Sequence, residues 1–217
     1  MSREFESHRF HHENAAYQAI NKFMKIRDLV ESNTLDAYID RLKQSGAARM
    51  GSGNYSVVFT NPRDPETVLK IMHTYDPTYL AYIKRFAMNH PDNPWLPKVF
   101  DIQSLTFDQG RQKDGMSVWV STLERLQRAT PEAVKKAVSY VLSTVDSQYL
   151  NVDARDYDEF YDIPQPVWKI LAQHSKDANV RVLAKFLSGF PPGGLDLRNP
   201  NMMMRGSQIV FADPVLP

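Results

Sequence analysis

An aspartate, an asparagine five residues further on and a second aspartate beyond a turn make up the stretch of this sequence best equipped for chemistry. They are Asp196, Asn201 and Asp213, set in Gly194-Leu195-Asp196-Leu197-Arg198-Asn199-Pro200-Asn201 and Ile209-Val210-Phe211-Ala212-Asp213-Pro214. Phosphoryl transfer asks for this mix: a carboxylate to orient an attacking hydroxyl and accept its proton, and oxygen ligands for magnesium beside the phosphates. Asp196 suits the first role, Asn201 and Asp213 the second. Arg198 is placed to stabilise charge on the transferred group. Each residue taken singly also fits a bland role, Asp196 in a turn, Asn201 as a cap and Asp213 at a strand end before Pro214. Specificity comes from what lies between them. Met202-Met203-Met204, the Arg205-Gly206-Ser207 turn and Ile209-Val210-Phe211 predict a hairpin that brings Asn201 and Asp213 together. The methionines read as pocket floor and core.

The complementary half lies upstream. Gly51-Ser52-Gly53-Asn54-Tyr55-Ser56-Val57-Val58 can form a turn whose amides approach a phosphate closely, because Gly51 and Gly53 put no side chain in the way. Ser52 and Ser56 complete that cradle, Ser56 standing where a third glycine is usual, and Val58 is placed to pack on an adenine. A lone Gly-x-Gly is more often an ordinary hairpin turn. Lys70, in Val68-Leu69-Lys70-Ile71, is either an outward lysine on a strand or an ammonium aimed at the α- and β-phosphates of ATP; its place one hairpin beyond the glycines favours the second.

The elements that must position these groups change texture along the chain. Ala15 to Val30 and Leu35 to Leu42 have helical apolar spacing, the second behind an Asn33-Thr34 cap, and are expected to pack on the sheet that follows. Met50-Gly51, Tyr55 to Thr60, Thr67 to Met72, Val99 to Leu105 and Met116 to Thr122 read as five strands. One helix, Pro77 to His90, falls after the third, with Leu80, Ile83, Phe86 and Ala87 on its inner face. Thr130-Pro131-Glu132 opens a helix running to about Val145, and Val167 to Gln173 and Asn179 to Leu187 are further helices. The acidic, aromatic segment Asp153 to Asp162 reads as a solvated loop, or as a reader of basic peptides.

Composition excludes other classes. With 217 residues, 42% of them hydrophobic, the chain can bury a sizeable core. A net charge of +1 gives no field for nucleic acid or an anionic membrane. No apolar run approaches a membrane span, and the polar start has no signal-peptide core, so the sequence predicts a cytoplasmic protein. Zero cysteines remove thiol catalysis, thiolate zinc and disulfides. His8, His11 and His12 lack a carboxylate at ligand spacing and read as an exposed terminus. His73, His90 and His174 are isolated, Trp95, Trp119 and Trp168 scattered, and there is no Gly-x-Ser-x-Gly elbow, His-Glu-x-x-His pair or P-loop.

From about Ala48 to Val215 the chain resembles the early serine/threonine protein kinases of T-seven-like bacteriophages. The likeness rests on Gly51 to Ser56, Val68 to Lys70, Pro97-Lys98-Val99-Phe100-Asp101-Ile102, and Asp196 to Asn201 followed by Asp213-Pro214-Val215. It implies an α+β, protein-kinase-like two-lobe fold: an N-terminal helical extension (1–46), a five-stranded antiparallel lobe (47–125) and a short, mainly helical lobe carrying the catalytic and metal-binding loops (126–217). It implies nucleotide binding at Gly51, Gly53 and Lys70, catalysis at Asp196, magnesium at Asn201 and Asp213, and ATP-dependent phosphorylation of host proteins of transcription, RNA processing or translation in the host bacterial cytoplasm.

The wider kinase pattern is departed from in named places. Gly194-Leu195 stands where His-Arg is usual, and Pro214-Val215 where Phe-Gly is usual. No glutamate occurs between Pro77 and His90 to pair with Lys70; Tyr79, Tyr82 and Asp76 are the candidate substitutes. With four residues after Asp213, no activation segment or substrate-docking helices are expected to follow. Two other readings follow from these departures and from the Asp-to-Asn spacing: a kinase-like protein that inhibits a host factor by binding, and a small-molecule phosphotransferase.

Overall fold

The computed structural model of the chain describes residues 34–107, 116–150, 157–191, 194–198 and 201–216. The expected helix over Ala15 to Val30, residues 108–115 and the start of the acidic segment lie outside the described residues. Among those described, five α-helices accompany an antiparallel five-stranded sheet and a small three-stranded sheet, an α+β fold.

Helix α1 (Leu35–Gln44) begins where Thr34 accepts a hydrogen bond from the Ala37 amide at 3.2 Å, the cap its sequence predicts. It stops at Ser45, with Gly46 following at φ 95°, a conformation only glycine adopts cheaply. Strands β1 (Arg49–Ser52), β2 (Ser56–Thr60), β3 (Thr67–Met72), β4 (Val99–Phe107) and β5 (Met116–Glu124) assemble in the order β1-β2-β3-β5-β4. β3 is central, and all six of its residues are buried. Alternation along a strand sends Leu69 and Ile71 to one face, where they meet Val57, Phe59, Val118, Val120 and the α1 side chains Tyr38 and Leu42. Val68, Lys70 and Met72 take the other face. A lysine therefore sits in the middle of the most buried strand, on the face turned toward the rest of the molecule.

The expected helix after β3 is not uniformly α-helical. It starts as α2 (Pro77–Leu80), capped by Asp76, continues as a π-helix over Ala81–Phe86 and ends as a 3-10 turn over Ala87–Asn89. Each π turn holds an extra residue, which broadens the inward face. Tyr79, Leu80, Tyr82, Ile83 and Ala87 are buried, while Phe86 is only partly so. Phe86 instead stacks on Phe186 at 4.1 Å, and Tyr82 lies 5.4 Å from the same ring. These contacts fasten the helix to the helical body.

That body holds α3 (Pro131–Ser143), α4 (Gln165–His174) and α5 (Ala178–Leu187), whose apolar faces converge on Trp168. The acidic segment does more than face solvent. Its Phe160–Asp162 stretch forms a 3-10 turn closed by a Glu159–Asp162 capping box, and Phe160 is fully buried. The short strands β6 (Gln127–Arg128), β7 (Met202–Arg205) and β8 (Gln208–Phe211) pair antiparallel, with Gly206 at φ 61° turning the β7–β8 hairpin. Phe211 packs edge-on to Phe160 at 4.8 Å and donates its amide to the Trp95 carbonyl at 2.8 Å, so the hairpin's end is fixed from both sides. None of the helices among the described residues is long and apolar enough to cross a membrane.

Candidate active site

Strand register sets the first half of the site. Val58, Lys70 and Ser121 are cross-strand neighbours on β2, β3 and β5, so their side chains share a face. Just beyond, the β1–β2 turn is held by the Gly53 amide donating to the Ser56 carbonyl at 2.8 Å. The Tyr55 carbonyl accepts from the His73 and Thr74 amides at 3.1 and 3.2 Å, tying the turn to the end of β3. A Cβ added to Gly51 or Gly53 would meet nothing within 4 Å, and neither residue has a positive φ. Packing and backbone geometry therefore do not require these glycines. The open room beside Gly53 faces a cleft of about 220 Å³.

The β7–β8 hairpin supplies the second half. The Ala212 amide donates to the Asn201 carbonyl at 2.9 Å, so the hairpin's base brings Asn201 beside Asp213, as the spacing predicts. Asn201 in turn donates its side-chain amide to the Asp196 carbonyl at 3.1 Å, and the Asp196 amide donates to Pro214 at 3.0 Å. Three chemically promising residues are thus held by one another's backbones. One Asp196 oxygen, Oδ1, is buried without a hydrogen-bond partner; the nearest cation is the Arg198 Nε, at 3.7 Å. A buried carboxylate oxygen left in that state is costly unless a hydroxyl or ion completes it.

The two halves meet at Lys70. Its Nζ lies 2.7 Å from Asp213 Oδ2, and the lysine is only 8% exposed. Lys70, Asp196, Asn201, Asp213, Gly53 and Ser56 all border the one cleft. Burial pushes the Asp213 carboxyl above the usual range, opposed by Lys70 and reinforced by the charges of Asp76 and Asp196. The cleft is short of positive charge.

Several expected residues lie elsewhere. Gly51 and Ser52 belong to exposed β1, and Val58 flanks Lys70 without bordering the cleft. Arg198, its side chain 66% exposed, stands outside the cleft, 5.3 Å from the Tyr161 ring. Met202 to Met204 form β7 instead of the cleft floor, and Met72 is the methionine that borders it. Two residues named only as substitutes for a glutamate are in the site: Asp76, 6% exposed, and Tyr79, whose ring lies 3.5 Å under the Lys70 ammonium. Their signal was Asp76-Pro77, a cap followed by a first-turn proline, which fixes the helix start at the cleft. Asn54 and Tyr55 also border the cleft.

No protein-family model matches this chain, and no curated protein does either.

Asn201 and Asp213 offer oxygen donors of the kind magnesium takes. Among the described residues no three histidine, aspartate or glutamate side chains form a metal-binding group. An ion here would take Asn201 and Asp213 together with phosphate oxygens and water, the pattern magnesium favours. The Asp196 oxygen without a hydrogen bond and the surplus of carboxylate are what such a charge would offset.

Proposed function

We propose that the chain is an ATP- and magnesium-dependent kinase acting on serine or threonine of proteins, with a protein-kinase-like arrangement of sheet lobe over helical lobe. The observation that carries this is the meeting of Lys70 and the Gly53 turn with Asp196, Asn201 and Asp213 at one cleft, from segments about 130 to 160 residues apart. The sheet order β1-β2-β3-β5-β4, with the helix between β3 and β4, supports the same reading.

In this reading the Gly53 turn and Lys70 receive the phosphates, and Asn201 with Asp213 would hold magnesium. Bound there, the ion would neutralise charge on the phosphates. Asp196 orients the acceptor hydroxyl. The acceptor oxygen bonds to the γ-phosphorus, the β–γ bridging bond breaks, ADP leaves, and the hydroxyl proton passes to Asp196. Arg198, outside the cleft and 3.7 Å from Asp196 Oδ1, meets charge on the incoming segment. The resemblance to early phage kinases extends the proposal to host-protein acceptors during infection.

Transfer of labelled γ-phosphate to host-lysate proteins tests this. Asp196→Asn is expected to abolish transfer while leaving the melting temperature near that of the parent. Transfer that survives Asp196→Asn removes the reading. Undiminished biological effect from an Asp196→Asn, Asp213→Asn double variant favours inhibition by contact instead.

A further inference from the structure

Lys70 lacks the glutamate that would ordinarily hold it, yet it is not left to one partner. Its ammonium lies 2.7 Å from Asp213 and 3.5 Å from the centroid of Tyr79. Tyr79 is 1% exposed and fixed from several directions. Its amide donates to Asp76 Oδ1 at 2.9 Å, and its ring lies 6.3 Å from that of Tyr82. Tyr82 in turn donates its hydroxyl to the carbonyl of Phe211, two residues before Asp213. The ring under Lys70 and the carboxylate beside it are therefore anchored to the same short segment.

This arrangement answers a conflict within the site. Asp213 is both the carboxylate on Lys70 and the residue that would hold a cation. A carboxylate that turns toward a cation gives up part of its bond to the lysine, and a buried ammonium without a partner is costly. A second carboxylate at position 79 would add negative charge to a cleft where Asp76 and Asp196 already burden Asp213. An aromatic face attracts the ammonium through its quadrupole, adds no charge and cannot compete for the metal. The Tyr79 hydroxyl lies near Ser121, outside hydrogen-bond geometry, so the ring and not the oxygen makes the contact with Lys70.

We infer that Tyr79 is the positioning residue for Lys70, its ring holding the ammonium at the phosphate end of the cleft while Asp213 engages a cation. This rests on the nucleotide reading above. It also makes the site competent without a lysine–glutamate pair that forms and breaks, since the ring is buried in a helix already fastened to α5.

The test compares Mg-ATP and adenosine binding to the full chain with phenylalanine, leucine or trifluorophenylalanine at position 79, beside acetylation of Lys70 without nucleotide, read by mass spectrometry. Tyr79→Phe is expected to match the parent. Tyr79→Leu is expected to weaken Mg-ATP binding about tenfold, leave adenosine binding unchanged and speed Lys70 acetylation severalfold. The fluorinated ring keeps the shape and weakens the quadrupole, so it reproduces the Mg-ATP loss even where the leucine variant folds poorly. Equal losses for Mg-ATP and adenosine, or full Mg-ATP affinity with the fluorinated ring, overturn the inference. A parent protein that binds neither ligand overturns the nucleotide reading instead; acetylation then decides the ring contact, faster in Tyr79→Leu supporting it and unchanged overturning it.

Discussion

Lys70 and Asp213 are 143 residues apart in the chain and joined by a 2.7 Å hydrogen bond in the fold. One sits mid-strand in the central β3, the other just past the β8 end of a hairpin. Their pairing joins the two sides of the cleft.

Breaking that pair from either side is expected to destabilise the fold. Asp213→Asn leaves a largely buried ammonium short of its carboxylate and should cost about 1–2 kcal/mol, less than a fully buried pair because the Asp213 side chain is 35% exposed. Lys70→Met keeps most of the stem but leaves Asp213 without its cation in a cleft short of positive charge, and should cost a similar amount, about 1–2 kcal/mol. Both variants should lose the rise in melting temperature that Mg-ATP gives the parent. Urea denaturation with and without Mg-ATP checks the pattern, and a full thermal response in Lys70→Met would refute the phosphate role.

Gly53 separates fold from ligand. A Cβ there has no neighbour within 4 Å, so Gly53→Ala should leave stability unchanged or raise it by up to about 0.5 kcal/mol. Mg-ATP affinity should nevertheless fall several-fold, because the methyl enters the space a phosphate needs. Isothermal titration beside a denaturation curve reads both quantities.

The hairpin that carries Asn201 and Asp213 is moored by Arg205. Its guanidinium makes a two-pronged pair with Glu124 at the end of β5, with Nε 2.7 Å from Oε2, and donates to the Leu96 and Pro94 carbonyls at 2.9 and 3.2 Å. Arg205→Ala leaves Glu124, its side chain only 10% exposed, without its cation and should cost about 2–4 kcal/mol. Arg205→Lys should recover little of this, since a point charge cannot make the fork. Chemical denaturation of both variants tests the difference.

Asp177 gives the acid side of the stability curve a definite origin. Burial alone would raise its carboxyl, but the Tyr140 hydroxyl, the Val180 and Asn179 amides and the Arg181 charge hold it below the usual range. A lowered native value stabilises the fold above the ordinary carboxylate pKa, and that contribution is lost as pH falls from about 4 through the native value. Asp177→Ala removes the α5 cap and should cost about 1–2 kcal/mol at pH 7. The gap between variant and parent should narrow as pH falls from about 4 toward 3; a gap that stays constant over that range would show that the charge is not responsible.

Local signals carried much of this protein. Thr34 and Thr130 cap the helices they were expected to open, because a cap is decided by a side chain and an amide two or three residues away. The β7–β8 hairpin was legible from its turn and flanking apolar runs, and so was the nearness of Asn201 to Asp213. The π register of 81–86 was not, because its gain comes from rings on a distant helix, Phe186 above all. Phe160 was read into a solvated segment although it is core, since the charges around it mask a single apolar anchor.

The same division runs through the site. The sequence by itself determined which groups are present and which neighbours within a hairpin meet: Gly53 with Ser56, Asn201 with Asp213. Only the tertiary structure decided that the Tyr79 ring lies under the Lys70 ammonium, that Asp76 faces the same cleft, and that Arg198 and Val58 do not border it. Residue type and spacing fix contacts a few residues long. Contacts between β3, the helix after it and the chain's last hairpin depend on burial shared by a whole core, where the energy belongs to no single stretch.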